Sequence, residues 1–116
     1  MEKNNSKLFA REIVNCIKDK QGEDITLLSI GERSIICDYF IIASGNSPIQ
    51  VKAIADSVAE KCKELGRNVF RVSGYNEGLW VIVDLLDIVI HIFSPMERDY
   101  YNLEGFWKDV SVEKIS

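Results

Sequence analysis

The sequence predicts an α/β fold: one domain, residues 1–116, built on a mixed five-stranded sheet with helices packed against it. Three observations lead there. Two long segments carry apolar residues at helical spacing, whereas five short ones are β-branched or alternating. A strand–helix–strand unit over residues 35–72 calls for a right-handed parallel crossover. The close connection at residues 84–87 is too short for a crossover and calls for an antiparallel pair, so both pairings meet in one sheet.

In chain order, Phe9, Ala10, Ile13, Val14 and Ile17 mark one apolar helix face between about residues 6 and 20, with Gly22 as the stop signal. Residues 25–30 read as a short strand closed by a turn at 31–34. Residues 35–43 form a nearly continuous apolar run, broken only by Asp38, and read as a central strand covered on both faces. Ser47, Pro48 and Gln50 have the grammar of a capping box. The helix they open buries Val51, Ile54, Ala55, Val58, Cys62 and Leu65, and Gly66 suits the residue after its end. Strands follow at 68–72, 79–84 and 87–93. Ser94, Pro95 and Glu97 repeat the capping grammar and open a last helix. The end of the chain, from Val110, is short and polar and is expected to fray.

Composition narrows the function. At 47% hydrophobic residues over 116, the chain can bury a core without disulfide or metal staples. No run of about eighteen apolar residues occurs, so no membrane span is expected. The opening MEKNNSKLFARE lacks the apolar stretch of a secretory signal and carries acids, unlike an organelle presequence, which gives a cytoplasmic expectation. A net charge of −4 and a pI near 5.0 disfavour direct, sequence-specific nucleic-acid binding and suit a basic protein partner. Cys16, Cys37 and Cys62 are widely spaced and His91 is the single histidine, so reduced core thiols are expected and neither a metal site nor a cofactor is.

The segment 78–107, GLWVIVDLLDIVIHIFSPMERDYYNLEGFW, concentrates both tryptophans, Trp80 and Trp107, with Tyr100 and Tyr101. Aromatic rings beside polar residues near element ends are candidates for a partner surface. Together with CDYFIIASGNS and the following VKAIAD, this segment resembles the ribosomal silencing factor family, also called Iojap-like proteins, over roughly residues 7–108, leaving 109–116 as a tail.

The resemblance implies a binding protein and not an enzyme, with an α/β fold similar to the nucleotidyltransferase core but without its catalytic carboxylates. It implies binding to the large ribosomal subunit through the protein numbered fourteen, at the intersubunit face. That occupancy blocks joining of the small subunit and damps translation; organelle members assist large-subunit assembly, and homodimers are common. Carried onto this chain, the partner-binding positions are Trp80, Asp84, Asp87, Tyr101, Leu103, Glu104 and Trp107. The family usually has glycine just before the second acid, where this chain has Leu86, so another turn geometry is expected there. Gly105 predicts a last helix that breaks before Trp107.

The residues alone leave alternatives open. Trp80 shares a strand face with Ile82 and fits a core as well as an interface, and Tyr101, Leu103 and Trp107 fit the docking face of the helix itself. Asp84 and Asp87 straddle a turn and read as strand-end carboxylates, as partners for basic groups or, least well, as a metal pair. His91, mid-strand, reads as a structural histidine. The loop Ser44–Ser47 before a helix start keeps a nucleotide-binding or nucleotidyltransferase-like reading alive, although the strand at 68–72 carries no Asp-x-Asp pair for magnesium.

Overall fold

The computed structural model describes residues 2–115. Helix α1 (Glu2–Asp19) precedes strand β1 (Glu23–Leu28), a 3-10 turn (Ile30–Glu32), β2 (Tyr39–Ser44), α2 (Pro48–Glu64), β3 (Arg71–Ser73), β4 (Trp80–Asp84), β5 (Ile88–Phe93), α3 (Pro95–Tyr101), α4 (Leu103–Phe106) and β6 (Val112–Lys114). The strands form one six-stranded mixed sheet in the order β3-β4-β5-β2-β1-β6.

The expected helices form for the expected reasons. Helix α1 buries Phe9, Ala10, Ile13, Val14 and Ile17 on one stripe. Its stop is not where glycine was expected to act: Gln21 takes the left-handed conformation at φ 63°, while a Cβ on Gly22 would lie 2.3 Å from Ile17 Cγ2. Gly22 therefore serves close packing, not turn geometry. In α2, Ser47 Oγ accepts from Gln50 N at 3.1 Å, and Gln50 Oε1 accepts from Asn46 N at 2.7 Å, a capping box displaced by one residue. At α3, Ser94 Oγ donates instead to the Glu97 side chain, and the predicted hydroxyl-to-backbone cap is not made.

The sheet corrects three expectations. A sixth strand exists: residues 112–114, expected to fray, pair antiparallel with β1. The bidentate Arg11–Glu113 contact at 2.6 and 2.8 Å and Ser111 Oγ on Glu32 at 2.7 Å fasten this strand. The central strand starts at Tyr39, not at residue 35, because Asp38 N and Tyr39 N bond to Asp87 O and pairing with β5 begins only there. Ile35 and Ile36 lie outside it and are exposed. Finally, β2 and β3 do not neighbour each other. The six residues of β2 pair parallel with β5, and β4 is antiparallel to both β5 and β3. The strand after α2 thus runs parallel to β2 but with β4 and β5 between them, at the sheet edge, with all three residues exposed.

Strand alternation gives the sheet two faces. Ile25, Leu27, Ile41, Ala43, Val81, Val83, Ile88, Ile90 and Ile92 pack under α1 and α2 in the main core. The opposite face holds a smaller cluster of Leu28, Ile30, Cys37, Ile42, Phe93 and Val110, bordered by Phe40, Trp80, Val89, Leu103 and Trp107. The broken helix α3–α4 covers part of it. The break falls at Asn102, left-handed at φ 45°, and Gly105 permits it, since a Cβ there would lie 2.4 Å from Asn102 Nδ2.

The β4–β5 turn keeps a glycine-type conformation despite its leucine: Leu86 sits at φ 78°. Asp84 Oδ1 accepts from Leu86 N at 2.8 Å and fixes this turn. A left-handed leucine costs about 1 kcal/mol, and at 58% exposure Leu86 recovers little of it by burial. Leu86→Gly and Leu86→Asn are expected to raise unfolding free energy by up to about 1 kcal/mol, and Leu86→Val to lower it. Urea denaturation reads the order; a wild type more stable than both relaxed variants would contradict the strain assignment.

Candidate partner-binding face

Trp80 opens β4 directly across from Phe93 of β5. Its indole stacks on Phe93 at 4.9 Å between centroids and meets the Tyr101 ring at 4.7 Å. Trp80 Nε1 donates to His91 Nδ1 at 3.1 Å. His91 contacts Phe40 edge to face at 4.6 Å, and Phe40 contacts Trp107 at 5.9 Å. A continuous aromatic ladder thus crosses the less covered sheet face from Tyr101 through Trp80, His91 and Phe40 to Trp107. Its members come from β2, β4, β5 and the broken helix, elements that strand alternation and the Asn102 kink bring together.

The ladder is anchored below and open above. Trp80 and Trp107 are half-buried, and Leu103 packs beside them against the smaller core. Tyr101 is 50% exposed, and Tyr100 and Phe106 are 81% and 80% exposed. Tyr100 stands edge to face on Tyr101 at 5.0 Å, which extends the surface ring cluster. Exposed rings on a rigid apolar base match the make-up of protein-binding hot spots.

The carboxylates fall elsewhere. Asp84 closes β4 at the end opposite Trp80, about 13 Å away at the rise of a strand. Its side chain fixes the Leu86 turn. Asp87 accepts from Arg67 Nη2 at 2.5 Å and from Ser6 Oγ at 2.6 Å, so it ties α1 to the segment after α2. Glu104 pairs with Arg98, whose Nη1 also donates to Ser44 Oγ at 3.0 Å. Trp80, Tyr101, Leu103 and Trp107 are therefore one cluster, Glu104 lies beside it, and Asp84 and Asp87 are apart from it with partners of their own. Tyr100, one of the rings that stand out in the sequence, joins the cluster through Tyr101, and Phe40 and Phe106 join it without having been singled out. Phe40 was readable from its alternation with Ile42; Phe106 was not separable from ordinary helix surface.

His91 is buried, and burial pushes its pKa down to about 4. With Nδ1 accepting from Trp80, the neutral ring carries its proton on Nε2, which has no partner. The loop at residues 44–47 has little left for a phosphate. Gly45 N bonds to Phe93 O, Asn46 N to Gln50 Oε1 and Gln50 N to Ser47 Oγ, while Ser44 Oγ accepts from Arg98. Among the described residues no group of three or more His, Cys, Asp and Glu is placed to hold a metal ion, and no helix is long and apolar enough to cross a membrane.

Comparison with known proteins finds relatives that match most of the chain. The family model described as "Ribosomal silencing factor during starvation" matches residues 3–116. The protein named ribosomal silencing factor RsfS of Halalkalibacterium halodurans is 43% identical over 102 residues, covering 88% of this chain and 87% of that one. Its namesake in Bacillus subtilis is 42% identical over 111 residues, covering 96% and 94%. A crystal structure of a protein from Chromobacterium violaceum superposes with a TM-score of 0.86 at 34% identity, covering 95% of this chain and 89% of that one. One from Bacillus halodurans gives 0.83 at 36%, covering 94% and 99%.

The histidine sets a pH dependence. Its folded pKa lies below the ordinary value of 6.5, so between about 4 and 6.5 the unfolded chain binds the extra proton. The stability this group confers is complete above pH 6.5 and is lost as pH falls through about 4, some 3 kcal/mol in all. Urea midpoints over that window should fall with acid, and His91→Phe should flatten the fall. An equal slope in both proteins would remove the histidine from the account.

Proposed function

This chain belongs to the ribosomal silencing factor family, and we propose that it represses translation as a steric wedge. In this reading it binds the large ribosomal subunit through the ribosomal protein numbered fourteen, at the intersubunit face, and the bound domain denies that face to the small subunit. The observation that carries the reading is the half-open aromatic ladder: Tyr101 with Tyr100 and Phe106 offers rings to a partner, and Trp80, Leu103 and Trp107 hold them from below. The net charge of −4 favours encounter with a basic ribosomal protein. Glu104 would flank the contact, and Asp84 and Asp87 would reach a partner only at the far end of the β4–β5 hairpin. Blocking by occupancy requires no bond making, so the geometry needs nothing beyond affinity and bulk.

The test is sedimentation of purified subunits with and without the protein. Added protein should co-migrate with the large subunit and deplete joined ribosomes. Tyr101→Ala should weaken large-subunit binding by more than about 1 kcal/mol, several-fold in dissociation constant, while leaving the circular dichroism unchanged. Trp80→Ala should weaken binding and also lower stability, since it removes the stack on Phe93 and the bond to His91. Joined ribosomes that form undiminished in the presence of bound protein would end the wedge reading.

A further inference from the structure

A cleft of about 570 Å³ lies between the sheet and α3–α4, where the start of β1, the end of β2 and β6 meet. Four carboxylates line it, Glu23, Asp24, Asp99 and Glu104, against two cations, Arg98 and Lys114. Arg98 is already held by Glu104 and by Ser44 Oγ. The remaining field is acidic, which disfavours a phosphate and favours a cation.

A second observation points to a ligand. Thr26 lies in the cleft wall at 4% exposure, and its Oγ1 is buried with no hydrogen-bond partner. Strand alternation turns it to this face: Ile25 and Leu27 pack under α1 and α2, and Thr26 is opposite them. A buried hydroxyl left unpaired costs free energy of about 1–3 kcal/mol unless a group from outside completes it. Just before it, the pairing of β1 with β2 shifts register between Glu23 and Thr26, with Asp24 left-handed at φ 50°, and this bulge sets both carboxylates at the cleft. Pro95 and Val112 add apolar wall.

We propose that this cleft is a receptor for an alkylammonium group, supplied by a free linear polyamine or by a lysine side chain of a protein partner. The ammonium N–H groups donate to Thr26 Oγ1 and to the carboxylates, and the methylene stem lies along Pro95 and Val112. The inference does not depend on the wedge reading, because the cleft is separate from the exposed rings of Tyr100, Tyr101 and Phe106.

Isothermal titration calorimetry of the full chain at low ionic strength tests it, with spermidine as one probe and an end-blocked tripeptide with a central lysine as the other. One saturable site is expected for at least one probe, and the tighter probe identifies the source. Thr26→Val, which removes only the unpaired hydroxyl, and Asp24→Asn, which tolerates the left-handed backbone, should each weaken binding about fivefold or more. Lys114→Ala should tighten it severalfold, the opposite of its effect on an anion site. Glu60→Gln on α2, away from the cleft, should change nothing. Absence of saturable binding to both probes, equal weakening by Glu60→Gln, or inorganic phosphate binding that Lys114→Ala abolishes would overturn the proposal.

Discussion

The parallel pairing of β2 with β5 is the constraint on which the rest of the molecule depends. It runs over six residues at the centre of the sheet and is flanked by an antiparallel neighbour on each side. Because the two strands run the same way, both end at the same edge, and their following helices, α2 and α3, start side by side there. Gly45 N on Phe93 O and Arg98 on Ser44 Oγ stitch these two exits together. The same pairing buries β5 almost completely, so a histidine in its middle must be accommodated as a neutral ring inside apolar surroundings.

From that pairing the aromatic face follows. Ring residues of β2, β4 and β5 that point away from α1 and α2 come into register, and the chain leaving β5 has to lie over them. It does so as two short helices, because Asn102 turns left-handed and lets the chain bend. Before the bend, Tyr101 sits on Trp80; after it, Trp107 sits on Phe40. One kink therefore presents two rings from opposite sides of a shared apolar floor, leaving Tyr100 and Phe106 facing outward.

Most of the helical content could be read from the sequence, because periodicity and capping are local. The Ser47 cap and the α2 stripe from Val51 to Cys62 follow from neighbours a few residues apart, although Leu65, expected in that stripe, lies exposed beyond the helix end. Gly105 announced a break before Trp107 but not its place at Asn102. Sheet order was less legible. An apolar run such as residues 35–43 says that a segment is buried or could be, but not where pairing begins, and Ile35 and Ile36 lie outside the strand because their partner strand starts later. The edge position of β3 follows from the pairing of β2 with β5, 49 residues apart in the chain, and residues 112–114 pair with β1 across 84 to 88 residues, separations that no local pattern encodes. At the candidate face, the tryptophans and Tyr101 stood out by type. The bonds of Asp84 and Asp87 did not, since a carboxylate that fixes a turn and one that faces a partner look alike in a string of letters.

The outline of the sheet carries its own consequence. Its central strands are five or six residues long, while both outermost strands, β3 and β6, have only three. A sheet that tapers to such stubs offers too few open backbone groups to seed the addition of a foreign strand. A shared backbone ladder with another molecule is thereby disfavoured, and what the domain offers outward is side-chain surface.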